Sequence, residues 1–231
     1  MKLGIMQPYF LPYIGYWQLI KAVDTFVIYD NIKYTKKGWI NRNRYLKNNG
    51  SDYFTIPLKL GSDHLDIRER VISESFNRIK ILNQINMVYK NAPFFSEIFF
   101  LFEKIINNKN DNLFEFIYHS IHIICSFLEI KTKMIISSSI PINHDLKSEE
   151  KVLEICKYLN TDIYINSIGG QKLYSRERFI QNGITLKFLQ TTEIKYSQFN
   201  NEFLPQLSIL DVMMFNSKNV INNLLMNYEL I

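Results

Sequence analysis

The sequence predicts an α/β protein: a mainly parallel, Rossmann-like sheet flanked by helices, with a helical insertion. Three observations carry this. Short apolar runs alternate with helical periodicity at both ends of the chain. The first 30 residues read strand, loop, helix, strand, the pattern of a parallel βαβ unit. Between these ends, residues 75–130 keep a helical period almost throughout. One domain over residues 1–231 is expected, with a helical subregion at about 75–130.

The elements follow in order. KLGIM (2–6) is a short apolar run stopped by Gln7-Pro8, as for a buried strand. Tyr16, Leu19, Ile20 and Val23 are spaced as one face of a helix, and Pro12 suits the turn before it. TFVIYD (25–30) is a second strand, rich in β-branched and aromatic residues. The polar, basic segment NIKYTKKGWINRNRYLKNNG separates it from a third strand, DYFTIPLKL (52–60), with a further short strand at DIRERVIS. The helical region breaks at Asn91-Ala92-Pro93 and at the Asn- and Lys-rich stretch 107–112. KMIISSS (133–139) returns to strand. SEEKVLEICKYLN (148–160) is an amphipathic helix with Ser148 as its cap. DIYINS (162–167) and ITLKFLQ (184–190) are strands around the short helix SRERFIQNG, which Gly183 closes. One or two helices end the chain.

Composition narrows the function classes. Hydrophobic residues make up 47% of 231 residues, which argues against disorder. Net charge is +5 and the isoelectric point about 9.0, a mild excess that suits an anionic ligand. It is too diffuse for a nucleic-acid stripe, so no specific nucleic-acid partner is expected. Cys125 and Cys156 sit in apolar helical patterns as buried free thiols, which implies a reducing compartment. MKLGIMQPYF has too short an apolar run for a signal peptide, and the longest apolar stretches are interrupted by Glu, Lys and His. A cytoplasmic protein without a membrane span is expected. FFSEIFFLF (94–102) reads either as core or as a contact between copies in a homo-oligomer.

In a parallel sheet, ligands bind beyond the carboxyl ends of the strands. Four segments belong to that edge: QPYFLPYIGY, Asp30 to Arg44, GSDHLD and SIGGQKLYS. Gly15 would open the first helix, where free N–H groups favour an anion. It would equally let that helix pack closely. Gly169 and Gly170 offer a second backbone cradle or a plain turn. Lys37, Asn41, Arg42 and Arg44 surround Trp39 and could supply forked donors for phosphate, or could form a solvated face. His64 and His144 lie in loops and suit proton transfer. His119 and His122 are three apart on an apolar helix without a third ligand nearby, so no metal site is expected. No GxSxG, Walker A, HExxH or CxxC pattern is present.

MQPYFLPYIGYWQLI, DTFVIYDNIKYTKKGWINRNRY, INSIGGQKLY and KYSQFNNEFLPQLSILDVMMFN, in that order and spacing, resemble the WbqC-like protein family. The resemblance implies a role in making bacterial O-antigen, capsule or flagellin glycans. It points to an enzyme that N-acylates or aminoacylates a nucleotide-linked amino sugar. A non-catalytic sugar-nucleotide or glycan-binding partner of a glycosyltransferase is the alternative, and an RNA-binding module a third. Under the first reading Gln7, Tyr9, Tyr13 and Tyr16 wall a phosphate seat at Gly15. Lys37, Asn41, Arg42 and Arg44 take the diphosphate or an acyl donor, and Gly169, Gly170, Gln171 and Tyr174 close the crevice. Asp30 or His64 accepts the amine proton. The donor stays open between acyl-CoA, aminoacyl-tRNA and a free acid with ATP. A weaker likeness to adenylate-forming nucleotidyltransferases places Tyr16 where those proteins carry histidine.

Overall fold

The computed structural model describes residues 1–47, 50–199 and 202–231. Asn48, Asn49, Asn200 and Asn201, which fall in the quoted motifs, lie outside them. The opening unit is β1 (Lys2–Met6), α1 (Ile14–Ala22) and β2 (Thr25–Ile28). Alternation along β1 sends Leu3 and Ile5 to one face of the sheet. Gly4 faces the other way, where an added Cβ would meet the Phe26 ring at 3.1 Å.

The hairpin β3 (Arg42–Lys47) and β4 (Gly50–Thr55) comes next, then α2 (Arg78–Tyr89), α3 (Phe95–Ile106) and α4 (Leu113–Phe127). After these follow β5 (Lys133–Ile136), α5 (Ser148–Tyr158), β6 (Ile163–Ser167), α6 (Arg176–Gln181) and β7 (Thr185–Thr191). The chain ends with α7 (Ile209–Phe215), α8 (Lys218–Leu224) and β8 (Tyr228–Leu230).

Among the described residues, the main sheet has six strands in the order β5-β2-β1-β6-β7-β8, parallel except for the antiparallel edge strand β8. Counting only the strands of this sheet along the chain, the order is 3-2-1-4-5-6, that of a doubly wound Rossmann sheet. The order reverses between β1 and β6. Two apolar layers cover the sheet. Helices α1 to α4, α7 and α8 share one apolar cluster with the face shown by Phe26, Ile28 and Ile165. Helices α5 and α6 pack on the face shown by Leu3, Ile5, Val27, Tyr164 and Phe188.

Four details differ from the sequence reading. The third strand covers Gly50–Thr55, not 52–60, and stands outside the main sheet, paired antiparallel with β3. Its partner comes from the basic segment, where buried Asn41 and Asn43 are mixed with buried Ile40, Tyr45 and Leu46, so no clean apolar alternation marks a strand. DIRERVIS holds a 3-10 turn at Ile67–Glu69 in place of a strand, because the Glu69 carboxylate accepts the Asp66 N–H at 2.7 Å. Ser148 gives α5 no side-chain cap bond and stands at φ 50°. Finally, the tail adds β8, three residues on the open edge of β7. Among the described residues, no helix is long and apolar enough to cross a membrane. In α3, Ile98 and Phe102 are core, whereas Phe100 is exposed.

Candidate functional site

The switch point between β1 and β6 is where a Rossmann sheet opens a crevice for ligand. A cleft of about 560 Å³ lies there, at the carboxyl ends of β1, β6 and β7 and the first turn of α1. Met6, Ser167 and Thr191 come from the strand ends, Tyr9, Tyr13 and Tyr16 from the opening loop and α1, and Trp39 and Arg44 from around β3. Of the residues put forward from sequence, Tyr9, Tyr13, Gly15, Tyr16 and Arg44 share this cleft.

The opening loop is rigid because much of it is core. Phe10, Leu11, Ile14 and Trp17 are buried. Its carbonyls are gripped from three elements. Asn43 Nδ2 donates to Phe10 O at 3.1 Å and Leu11 O at 2.9 Å. Ser208 Oγ donates to Leu11 O at 2.7 Å, and Trp17 Nε1 to Pro12 O at 3.1 Å. These contacts hold Leu11 at φ 44°, a left-handed conformation unusual for leucine. Tyr9 and Tyr13 are left to face the cleft, over a Tyr16 whose hydroxyl donates to Gln7 O at 3.0 Å. Gln7 itself accepts from Tyr9 Oη at 3.4 Å. Gly15 has a packing reason: a Cβ there would sit 2.8 Å from Thr191 Oγ1 and 3.0 Å from the Tyr13 ring.

The two arginines of the basic run differ. Arg42 donates from Nε to Gly38 O at 3.1 Å and from Nη2 to Lys37 O, closing the turn in which Lys37 stands exposed at φ 62°. Asn41 is likewise spent, accepting from Tyr34 Oη at 2.8 Å and donating to Ile56 O at 2.7 Å. Arg44 gives one Nη to Gln206 O at 2.9 Å, and its buried Nε has no partner among the described residues. Its guanidinium lies 5.8 Å from the Trp39 ring. Among the described residues lining the cleft, it is the single charged one. Burial raises the phenol pKa values of Tyr9, Tyr13 and Tyr16, so these groups stay protonated and act as hydrogen-bonding hydroxyls.

The remaining candidates lie elsewhere. Asp30 is buried at the end of β2, where it accepts from Ser138 N at 2.8 Å. The preceding Tyr29 N donates to Met6 O at 2.9 Å, which puts Asp30 one strand away from the cleft floor. His64 is exposed, 3.3 Å from Lys33 Nζ. Its loop reaches the carboxyl edge by pairing with the segment after β2, through the Lys33–Asp66 bridge. Gly169, Gly170 and Gln171 belong to a 3-10 turn after β6. Gly170 packs on Asn166, whose Nδ2 donates to Tyr174 Oη at 3.2 Å, and Tyr174 belongs to the layer of Tyr164 and Phe179, away from the cleft.

Two groups of residues had no strong signal in the sequence. Gln190, Thr191 and Gln206 line the cleft. Gln190 could have been inferred from its place at the carboxyl end of a parallel strand, as could Thr191 just beyond it. A second polar cluster adjoins Asp30: Asn31 Nδ2 lies 2.9 Å from His144 Nδ1, and the buried Lys151 Nζ donates to Asn31 O at 3.3 Å. Desolvation lowers the Lys151 pKa, opposed by the charges of Asp66 and Asp30. On α4, His122 meets the Tyr118 ring edge-on at 4.4 Å. Among the described residues, no group of three or more His, Cys, Asp or Glu could hold a metal ion.

The profile of the WbqC-like protein family matches residues 7–223, nearly the whole chain, including every residue of the cleft except Met6. The chain belongs to the WbqC-like protein family. A relative in Mycobacterium tuberculosis (strain H37Rv), named uncharacterized protein Rv1507c, is 29% identical over 215 residues, 92% of this WbqC-like chain and 92% of its own. No solved structure matches the chain.

Proposed function

We propose that this WbqC-like protein acts on a nucleotide-linked amino sugar in the making of bacterial surface glycans, transferring an acyl or aminoacyl group to the sugar amine. One observation carries the reading. Among the described residues, the switch-point cleft combines an aromatic wall, a ring of neutral hydroxyl and amide groups and one cation with an unspent donor. That set suits a sugar ring and its pyrophosphate, with Arg44 on the phosphate and Tyr9, Tyr13, Gln190 and Thr191 on the sugar and base. In the reaction the amine lone pair attacks the carbonyl carbon of the activated acyl group. The carbon–nitrogen bond forms, and the donor's carbon–sulfur or carbon–oxygen bond breaks with its electron pair on the leaving atom. The amine proton goes to Asp30 from the neighbouring strand end, or to His64.

A second reading, a non-catalytic sugar-nucleotide-binding partner, is favoured by one fact. Neither Asp30 nor His64 is among the residues lining the cleft. The test is calorimetric titration of the purified protein with UDP- and dTDP-linked amino sugars, followed by activity with acyl-CoA, aminoacyl-tRNA or free acid plus ATP. Binding that Arg44→Ala weakens supports the cleft. Binding without turnover by any donor, and cellular function retained by an Asp30→Ala, His64→Ala double variant, would leave only the binding role. Failure of every sugar nucleotide to bind overturns both readings.

A further inference from the structure

We infer that the protein has a second ligand chamber, next to the cleft, that seats the short acyl group of the donor; this rests on the acyl-transfer reading above. The chamber has a volume of about 320 Å³. Tyr13 and Gln206 line both spaces, and the consecutive residues Ile14 and Gly15 each line one, so a single layer of side chains divides them.

The smaller chamber has an apolar floor beneath a polar rim. Buried Ile14, Leu207 and Val212 floor the smaller one, with the partly buried Ile194 and Phe203 around them. A carbohydrate hydroxyl placed on that floor would lose its water without gaining a partner, whereas an alkyl or aryl group gains by burial. The volume is at the low end for small-molecule sites, which favours a short chain over a lipid. Lys195 and Glu193 pair at the exposed rim at 2.6 Å, where the polar carrier of the acyl group would emerge.

The walls are fixed in advance. Tyr196 Oη donates to the buried carboxylate of Asp211 at 2.7 Å, and Gln198 Nε2 donates to the same oxygen at 2.7 Å. The dividing residue Gln206 is held at φ 59°, its carbonyl taken by Arg44 of the larger cleft.

The experiment uses the full chain and S-acyl-N-acetylcysteamine thioesters from acetyl to octanoyl, titrated by calorimetry or NMR. Affinity should rise about fourfold per added methylene until the chamber is filled, then stop. Ile194→Trp should abolish that length dependence while leaving UDP-glucosamine binding unchanged. Phe203→Ala, which removes volume at the wall, should move the preferred chain to a longer one, and it decides the matter if Ile194→Trp does not fold. Affinity independent of chain length, or a length profile identical in wild type and both variants, overturns the chamber. UDP-glucosamine titrated into wild type and Arg44→Ala reads the larger cleft separately. If it fails to bind while the length dependence stands, the sugar-nucleotide reading falls and the chamber remains.

Discussion

Arg42 and Arg44 are two residues apart on one strand, point to the same side of it, and have different work. Arg42 is not among the residues lining the cleft; it donates to the carbonyls of Lys37 and Gly38 and packs its guanidinium 4.8 Å from the Tyr53 ring. Among the described residues, the buried Nε of Arg44 has no partner, and it lies beside the ring of Trp39. A charge-assisted hydrogen bond contributes about 1.5–3 kcal/mol, so Arg44→Ala should weaken an anionic ligand roughly 10- to 100-fold. Arg44→Lys should recover little of it, because a point charge cannot present a planar fork. Arg42→Ala should leave ligand affinity nearly unchanged and instead lower the unfolding free energy by about 1 kcal/mol, through the lost turn. Paired titration and urea denaturation of the two variants separate these outcomes; equal loss of affinity in both would sink the division of roles. Gly15 makes an independent prediction at this scale. Its added Cβ would press on Thr191 and Tyr13, so Gly15→Ala should cost about 1–3 kcal/mol by overpacking.

The hairpin of β3 and β4 is the element that turns a sheet edge into a cleft. Asn43, on β3, clamps two carbonyls of the opening loop, and its Oδ1 accepts the Arg44 N–H at 2.8 Å. Asn43→Ala would leave those buried carbonyls with one donor fewer each, at a cost of about 1–3 kcal/mol. The opening loop should then exchange its amide protons faster than β1 does; unchanged protection across Tyr9–Tyr13 would refute the clamp. This hairpin is also where the sequence was least legible. Strands β1, β2, β6 and β7 carry apolar and β-branched residues, and their alternation with helices is visible directly. In β3 the inward residue Asn43 is buried by hydrogen bonding, as is Asn41 just before it, so a pattern built on hydrophobicity passes over both. Three-residue β8 is too short to show any period. The same limit applies to the cleft. A mixture of Lys, Asn and Arg near Trp39 announces donors, but only tertiary contacts reveal which donors are already committed. Tyr9, Tyr13, Gly15 and Tyr16 belong to a segment whose rigidity could be read from its prolines and aromatics. Gln206 lies nearly 200 residues away along the chain, and nothing local marks it.

At the scale of the whole molecule, Asp211 joins elements that are distant in sequence. Its carboxylate accepts from Tyr89 at the end of α2 and from Tyr196 and Gln198 in the loop after β7, all at 2.7 Å. Tyr89 Oη in turn accepts the Leu46 N–H of β3 at 2.9 Å. One buried acid thus ties α7, α2, the hairpin and the wall of the smaller chamber together. Desolvation raises its pKa above the usual carboxylate value of 3.8, and the three donors only partly oppose that. The sign follows from linkage. A carboxyl group easier to protonate in the folded state than in the unfolded one favours folding most below the unfolded value. That contribution is lost as pH rises through the folded value. Exposed carboxylates paired with lysine, such as Asp63 and Glu74, have lowered pKa values and act in the opposite direction, so the total profile of the wild type hides the effect. The difference between wild type and Asp211→Asn isolates it. Urea denaturation of both proteins from about pH 4 upward should show wild-type stability falling relative to the variant as pH rises, then levelling off. A flat difference would mean that the three hydrogen bonds fully offset burial, and a rising one that they outweigh it and hold the acid as a stabilised charge. A falling difference would mean that the molecule spends stability to keep a charge in its interior, where it fixes the loop that divides the two chambers.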